Sequence, residues 1–247
     1  SASDIRFSYL QPEEVLLSRD LLDKQIVDAG FNSDAGVVLT IREAQQRIIE
    51  DALQKSSIQS GCAVLMDTLT GDIRALASVP SFSRGDPSSA DTANDAFRNK
   101  ALGVYAPGSV LKPLLAAFAL EQGVSPKHSY TCSGRCRVGD TVFRCYGGKA
   151  HGKQTMGDAL RNSCNTYFID LMCGLDAAAF LRFCRRLGLD MPVTLCAGLQ
   201  SERGLLPTDA DLSSPGQRAL LAFGQGRVLL SPLHLAVCYH VLATGCL

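Results

Sequence analysis

Ser109 and Lys112 are the two side chains in this sequence best placed for covalent chemistry. They stand three residues apart in Tyr105-Ala-Pro-Gly-Ser-Val-Leu-Lys-Pro113. A serine hydroxyl is a weak nucleophile until a base takes its proton. A lysine becomes that base only where burial lowers its pKa, and the apolar run from Ser109 to Leu120 reads as a buried helix. Pro107-Gly108 breaks the chain ahead of that helix, Pro113 falls where a missing N–H is tolerated, and Gly123 closes it. The i, i+3 spacing sets amine and hydroxyl on one face, and the positive end of the helix favours a developing alkoxide. By itself, Ser-x-x-Lys also describes a capping serine followed by a solvated lysine.

A second group lies further on, in Ser163-Cys164-Asn165. Ser163 can relay a proton to or from the lysine and Asn165 can hold Lys112 in place, although Ser-x-Asn by itself is also a common loop triplet. A third group is Cys132, Cys145, His151 and Cys164. Three sulfurs and an imidazole suit a tetrahedral zinc site with no open position, structural rather than catalytic. A Cys132–Cys145 or Cys136–Cys145 disulfide and a set of free thiols are the alternatives, and spacing leaves all three open.

The elements that must position these groups follow from periodicity. Gly36 to Ile41 is a short β-rich run, and Arg42 to Lys55 has helical spacing at Ala44, Ile48, Ile49 and Ala52. Ser60 to Met66 and Ile73 to Val79 read as a hairpin about Asp67-Thr-Leu-Thr-Gly-Asp72. Ser83 to Asn99 reads as a surface loop, and Pro126 to Gly152 as another. Thr155 starts a helix with Asp158 in a loose capping box. Ala177 to Gly188 is a helix with Arg182, Arg185 and Arg186 on a solvated side, and Thr194 to Ala210 is irregular. Ser231-Pro232 begins a last helix, in which His234 is read as structural.

Composition bounds the function. The chain has 247 residues, 46% hydrophobic and 19% charged, with 24 basic and 24 acidic side chains. That describes a globular chain and gives no electrostatic case for nucleic acid. No run reaches the ~18 apolar residues of a membrane span, and no signal peptide is visible.

Taken together, the motifs resemble the transpeptidase domain of class B penicillin-binding proteins, the elongation-type group most nearly. The resemblance rests on Tyr105-x-Pro-Gly-Ser-x-x-Lys-Pro113, Ser163-Cys-Asn-Thr-Tyr-Phe168, Ser78-Val-Pro-Ser-Phe82 and Gly224-Gln-Gly226 ahead of Ser231-Pro-Leu-His. Arg42 and His234 stand where the family usually has Asp and Gln. The resemblance implies an α/β fold, with an antiparallel sheet flanked by helices and an all-helical lobe, the serine helix lying between them. It divides the chain into residues 1–35, the remnant of a pedestal or linker, and a transpeptidase domain over 36–247. It also implies cross-linking of peptidoglycan stem peptides through an acyl group on Ser109, with Lys112, Ser163 and Asn165 assisting and no cofactor required. β-Lactams would acylate the same serine. Zinc at the cysteine cluster, a membrane glycosyltransferase partner and an extracytoplasmic site on an anchored protein belong to the same resemblance. No Lys-Thr-Gly occurs in the sequence, so the domain is expected to be cut short before that motif and to cross-link poorly as it stands. A β-lactam sensor and an inert cell-wall scaffold are the alternatives.

Overall fold

The computed structural model describes residues 39–82, 95–196 and 199–245. The expected helix near Pro12 to Leu22, the division at residue 35 and most of the Ser83 to Asn99 loop lie outside the described residues.

Helix α1 (Glu43–Lys55) leads into the hairpin of β1 (Gly61–Met66) and β2 (Ile73–Val79), paired antiparallel from Gly61↔Val79 onward. Alternation along β2 buries Ala75, Ala77 and Val79 on one face. Ala77 and Val79 join Leu53 of α1 in a small core, with Ile49 and Ala63 against it. Val64, on the opposite face, meets Leu235, Ala236 and Tyr239 of the last helix, α7 (Pro232–Thr244). The ladder thus carries a helix on each face, as expected. Of the β-rich run expected at Gly36 to Ile41, residues 36–38 lie outside the described residues, and the rest is a correction. Its described end, Leu39 to Ile41, is not a strand. Instead Thr40 Oγ1 donates to the Ile73 carbonyl at 2.7 Å and the Arg42 N–H to the Arg74 carbonyl at 2.8 Å.

The larger core belongs to helices. A 3-10 turn (Gly108–Leu111) runs into α2 (Lys112–Glu121), with Pro113 in its first turn and Gly123, at φ +83°, just past its end. The expected helix is therefore there, but Ser109 sits in its tighter opening turn. Leu114, Leu115, Phe118 and Ala119 of α2 are fully buried. Phe118 packs its ring 5.5 Å from both Phe180 and Phe183 of α5 (Ala177–Arg186). Between them run α3 (Met156–Arg161) and α4 (Asn165–Cys173). Thr155 and Asp158 form the full capping box at the start of α3.

Residues 126–152 are the second correction. The stretch read as a loop holds two antiparallel ladders. Strand β3 (Ser129–Cys132) pairs with β6 (Gly152–Thr155), and β4 (Arg135–Val138) pairs with β5 (Thr141–Arg144). Glycines and cysteines at the strand ends hid a period-2 pattern only four residues long. The irregular stretch after Thr194 contains the short pair β7 (Thr194–Cys196) and β8 (Leu199–Gln200). Helix α6 (Pro215–Leu221) precedes the Gly224-Gln-Gly226 segment. His234 is structural as expected. Its Nδ1 accepts from the Ser231 N–H at 3.1 Å, and its Nε2 lies 2.6 Å from the Met191 carbonyl.

Candidate functional site

Lys112 is the centre of the site, buried to 1% exposure although it carries an amine. Its Nζ lies 3.0 Å from Ser109 Oγ, 3.0 Å from Ser163 Oγ, 2.8 Å from the Ser163 carbonyl and 2.7 Å from Asn165 Oδ1. The Ser163 carbonyl and Asn165 Oδ1 can only accept, so they take two N–H groups of the lysine. What remains on the nitrogen, a proton in the ammonium or a lone pair in the amine, faces the two hydroxyls. Burial lowers the Lys112 pKa to about 8, against an upward pull from Cys164 and Cys145. The structure thus brings Ser109, Lys112, Ser163 and Asn165 to one crevice, from two segments more than fifty residues apart in sequence.

Local backbone explains how each group arrives. Ser109 and Lys112 are separated by one turn, and Ser109 remains exposed to solvent. Ser163 occupies the left-handed region at φ +48°, uncommon and strained for a residue with a Cβ. Its hydroxyl and its carbonyl both reach Lys112 from that bend. Asn165 opens α4, and its Nδ2 donates to the Arg144 carbonyl at 2.9 Å, tying the crevice to β5.

Several supporting contacts could not be read from the sequence motifs. The Gly108 N–H donates to the Gly224 carbonyl at 2.8 Å, and Tyr105 exchanges two backbone hydrogen bonds with Leu230. A Cβ on Gly224, at φ +73°, would meet the Gly108 carbonyl at 2.1 Å, so only glycine permits this approach behind Ser109. Tyr239 donates its hydroxyl to the Val110 carbonyl at 3.1 Å. The Gly-Gln-Gly pattern was a visible signal for Gly224, whereas nothing local pointed to Tyr239.

Cys132, Cys145, His151 and Cys164 converge with all their ligand atoms within 4.8 Å of one another. Sulfur separations are 3.7 Å for Cys132–Cys145 and 3.8 Å for Cys145–Cys164, and Cys132 Sγ lies 3.4 Å from His151 Nδ1. The disulfide alternative is corrected here. The Cys132–Cys145 separation is nearly twice the ~2.05 Å of an S–S bond, and Cys136 is also a free thiol. Thr166, fully buried, stands 3.4 Å from Cys164 Sγ and 3.8 Å from Cys145 Sγ. Burial pushes the Cys132 thiol up, but hydrogen bonds from Thr166 and from the His151 and Gly134 backbone outweigh it and bring the pKa to about 6.

Residues 61–246 match the family model for the penicillin binding protein transpeptidase domain. The chain is 29% identical over 237 residues to peptidoglycan D,D-transpeptidase FtsI of Escherichia coli K12, covering 93% of this chain and 39% of that protein. It is 27% identical over 221 residues to stage V sporulation protein D of Bacillus subtilis, covering 87% and 33%. Penicillin-binding protein A from Mycobacterium tuberculosis, solved as a ceftriaxone acyl-enzyme complex, superposes with a TM-score of 0.76 at 25% identity, over 98% of this chain and 60% of that one. The D,D-transpeptidase domain of a peptidoglycan glycosyltransferase from Eggerthella lenta gives 0.77 at 25% identity, over 86% and 56%. The chain spans about two fifths of the length of the first curated relative, at 39%.

Proposed function

Because this chain belongs to the penicillin-binding protein transpeptidase domain family, we propose that it carries the acylating half of a peptidoglycan D,D-transpeptidase site. The observation that carries the reading is the Lys112 amine, within 3.0 Å of both the Ser109 and Ser163 hydroxyls. With a pKa near 8, a usable fraction of Lys112 is neutral at ordinary pH and can take the Ser109 proton. Ser109 Oγ then attacks the carbonyl of a D-Ala-D-Ala peptide bond. The Ser109 N–H, in a first turn with no intrahelical acceptor, supports the oxyanion. The proton held by Lys112 returns through Ser163 Oγ to the leaving D-Ala nitrogen. An amine from a second stem peptide takes the acyl group and regenerates the serine. Asn165 holds Lys112 through Oδ1, and the second N–H of its amide is left for the substrate.

The cysteine cluster supports a structural zinc. A tetrahedral ion with Zn–S of about 2.3 Å sets sulfurs about 3.8 Å apart, and the separations of 3.7 and 3.8 Å fit that edge. Cys132, Cys145, His151 and Cys164 would hold the ion. It would supply a cross-link between the β3–β6 ladder and the Ser163–Asn165 turn, with no step of the reaction passing through it. The reading also places the protein at the extracytoplasmic face of a cell membrane, alongside a glycosyltransferase. Among the described residues, no helix is long and apolar enough to cross a membrane.

Fluorescent penicillin applied to the natural full-length protein tests the assignment of Ser109. Labelling is expected in the wild type and absent in Ser109→Ala. Equal labelling of the two would move the nucleophile elsewhere. Labelling without any product from a D-Ala-D-Ala peptide would make the protein a sensor rather than a transpeptidase.

A further inference from the structure

The β4–β5 ladder presents two unlike faces. Cys136, Val138 and Phe143 pack against the core, with the Phe143 ring 6.2 Å from Phe223. Arg135, Arg137 and Arg144 are exposed. Arg135 and Arg144 are direct cross-strand partners, an arrangement of like charges that weakens a ladder. Elsewhere Arg47, Arg74, Arg98, Arg161, Arg182, Arg186 and Arg227 each have a carboxylate partner. Among the described residues, none of the three ladder arginines has one. The charge is also concentrated. Residues 127–153 hold Lys127, Arg135, Arg137, Arg144, Lys149 and Lys153 against Asp140 alone, in a chain of zero net charge.

The end of β5 that carries Arg144 borders the crevice. The Arg144 carbonyl receives the Asn165 Nδ2 hydrogen bond at 2.9 Å, and the next residue, Cys145, packs its sulfur on Cys164. Tyr146, 97% exposed, follows in sequence and keeps its ring in solvent. Guanidinium groups match carboxylates in a two-pronged geometry, so the chemistry that fits is a carboxylate-bearing chain rather than a neutral one. We propose that the outer face of the β4–β5 ladder, through Arg135, Arg137 and Arg144, binds the acidic side groups of the peptide that delivers its acyl group to Ser109. The proposal rests on Ser109 as the nucleophile and adds which peptides are preferred: those with free carboxylates upstream of the D-Ala-D-Ala bond.

The experiment compares the full-length wild type with Arg135→Glu/Arg137→Glu, leaving Arg144 and its contact with Asn165 untouched. Two synthetic pentapeptides ending in D-Ala-D-Ala are used, one with free side-chain carboxylates and one with those groups amidated. Fluorescent penicillin labelling, followed in parallel, reports Ser109 and folding. Labelling is expected within about twofold of wild type, while KM for the acidic peptide rises about tenfold at constant kcat, a change that losing two exposed ion pairs can supply. The amidated peptide should not distinguish the proteins. Intact labelling with no difference between the peptides overturns the proposal. So does an unchanged KM accompanied by lost binding to phosphatidylglycerol vesicles, which makes this a membrane-facing surface. Failure of the wild type to label sinks the Ser109 reading instead. Calorimetric binding of the two peptides then decides the arginine face independently, acid-selective binding lost in the variant supporting it and its absence overturning it.

Discussion

At the scale of single residues, the site depends on one amine held out of water. Lys112 is 1% exposed and faces acceptors and hydroxyls rather than a carboxylate, so burial lowers its pKa by more than the nearby Cys164 and Cys145 sulfurs raise it. In the proposed mechanism the neutral form is the base, and it predominates above the pKa. Acylation of Ser109 is therefore expected to climb as pH rises through about 8 and to level off above it. Second-order labelling rates with a β-lactam between pH 6 and 10 check this, and a flat profile across that range would remove Lys112 from the role of base. The pairing of Ser109 with Lys112 was legible because three residues make nearly one helical turn. Ser163 was legible as a partner only through its motif. The backbone bend that turns both its oxygens to the lysine is a non-glycine residue in a left-handed conformation, for which a serine codon carries no sign.

At the scale of elements, the serine turn is held from behind. Gly224 lies against Gly108, and a methyl group there would overlap the Gly108 carbonyl at 2.1 Å in a backbone conformation already unsuited to a side chain. Gly224→Ala is expected to cost more than about 2 kcal/mol, in the range of strained or overpacked positions, and to slow acylation as well. Thr155→Ala offers the contrast. It removes the capping box of α3, for a loss of about 1 kcal/mol, with acylation within about twofold of wild type. Denaturant melts beside labelling rates separate the two cases. Equal effects on acylation would mean that Gly224 acts only through global stability. Caps were readable because a threonine followed three residues later by an acid has one local meaning. The ladders at residues 129–155 were not, since four-residue strands broken by glycines leave too little alternation to register.

At the scale of the molecule, the cysteine cluster gathers side chains from several separate segments. Cys132 and His151 come from the ends of the β3–β6 ladder, Cys145 follows β5, and Cys164 lies within the Ser163–Asn165 turn. Purified protein is expected to carry about one zinc per chain. Losing even about 2 kcal/mol on chelation would lower Tm by roughly 4–8 °C for a chain of this size. Cys145→Ser should lose the metal and melt at the chelated temperature. Metal-free protein whose melting ignores chelator would leave four free ligands and no cross-link.

The chain alone determined which residues are candidates for chemistry, their order and the α/β hairpin-and-helix plan, because candidate nucleophile and base, caps and alternating strands are written in short spacings. It left the cysteines ambiguous among metal, disulfide and thiol. Only the tertiary structure set the sulfurs 3.7–3.8 Å apart, brought Asn165 against β5, and placed Gly224 behind Ser109. These are contacts between segments far apart along the chain. Their distances follow from how helices and ladders pack, and no local run of residues encodes that.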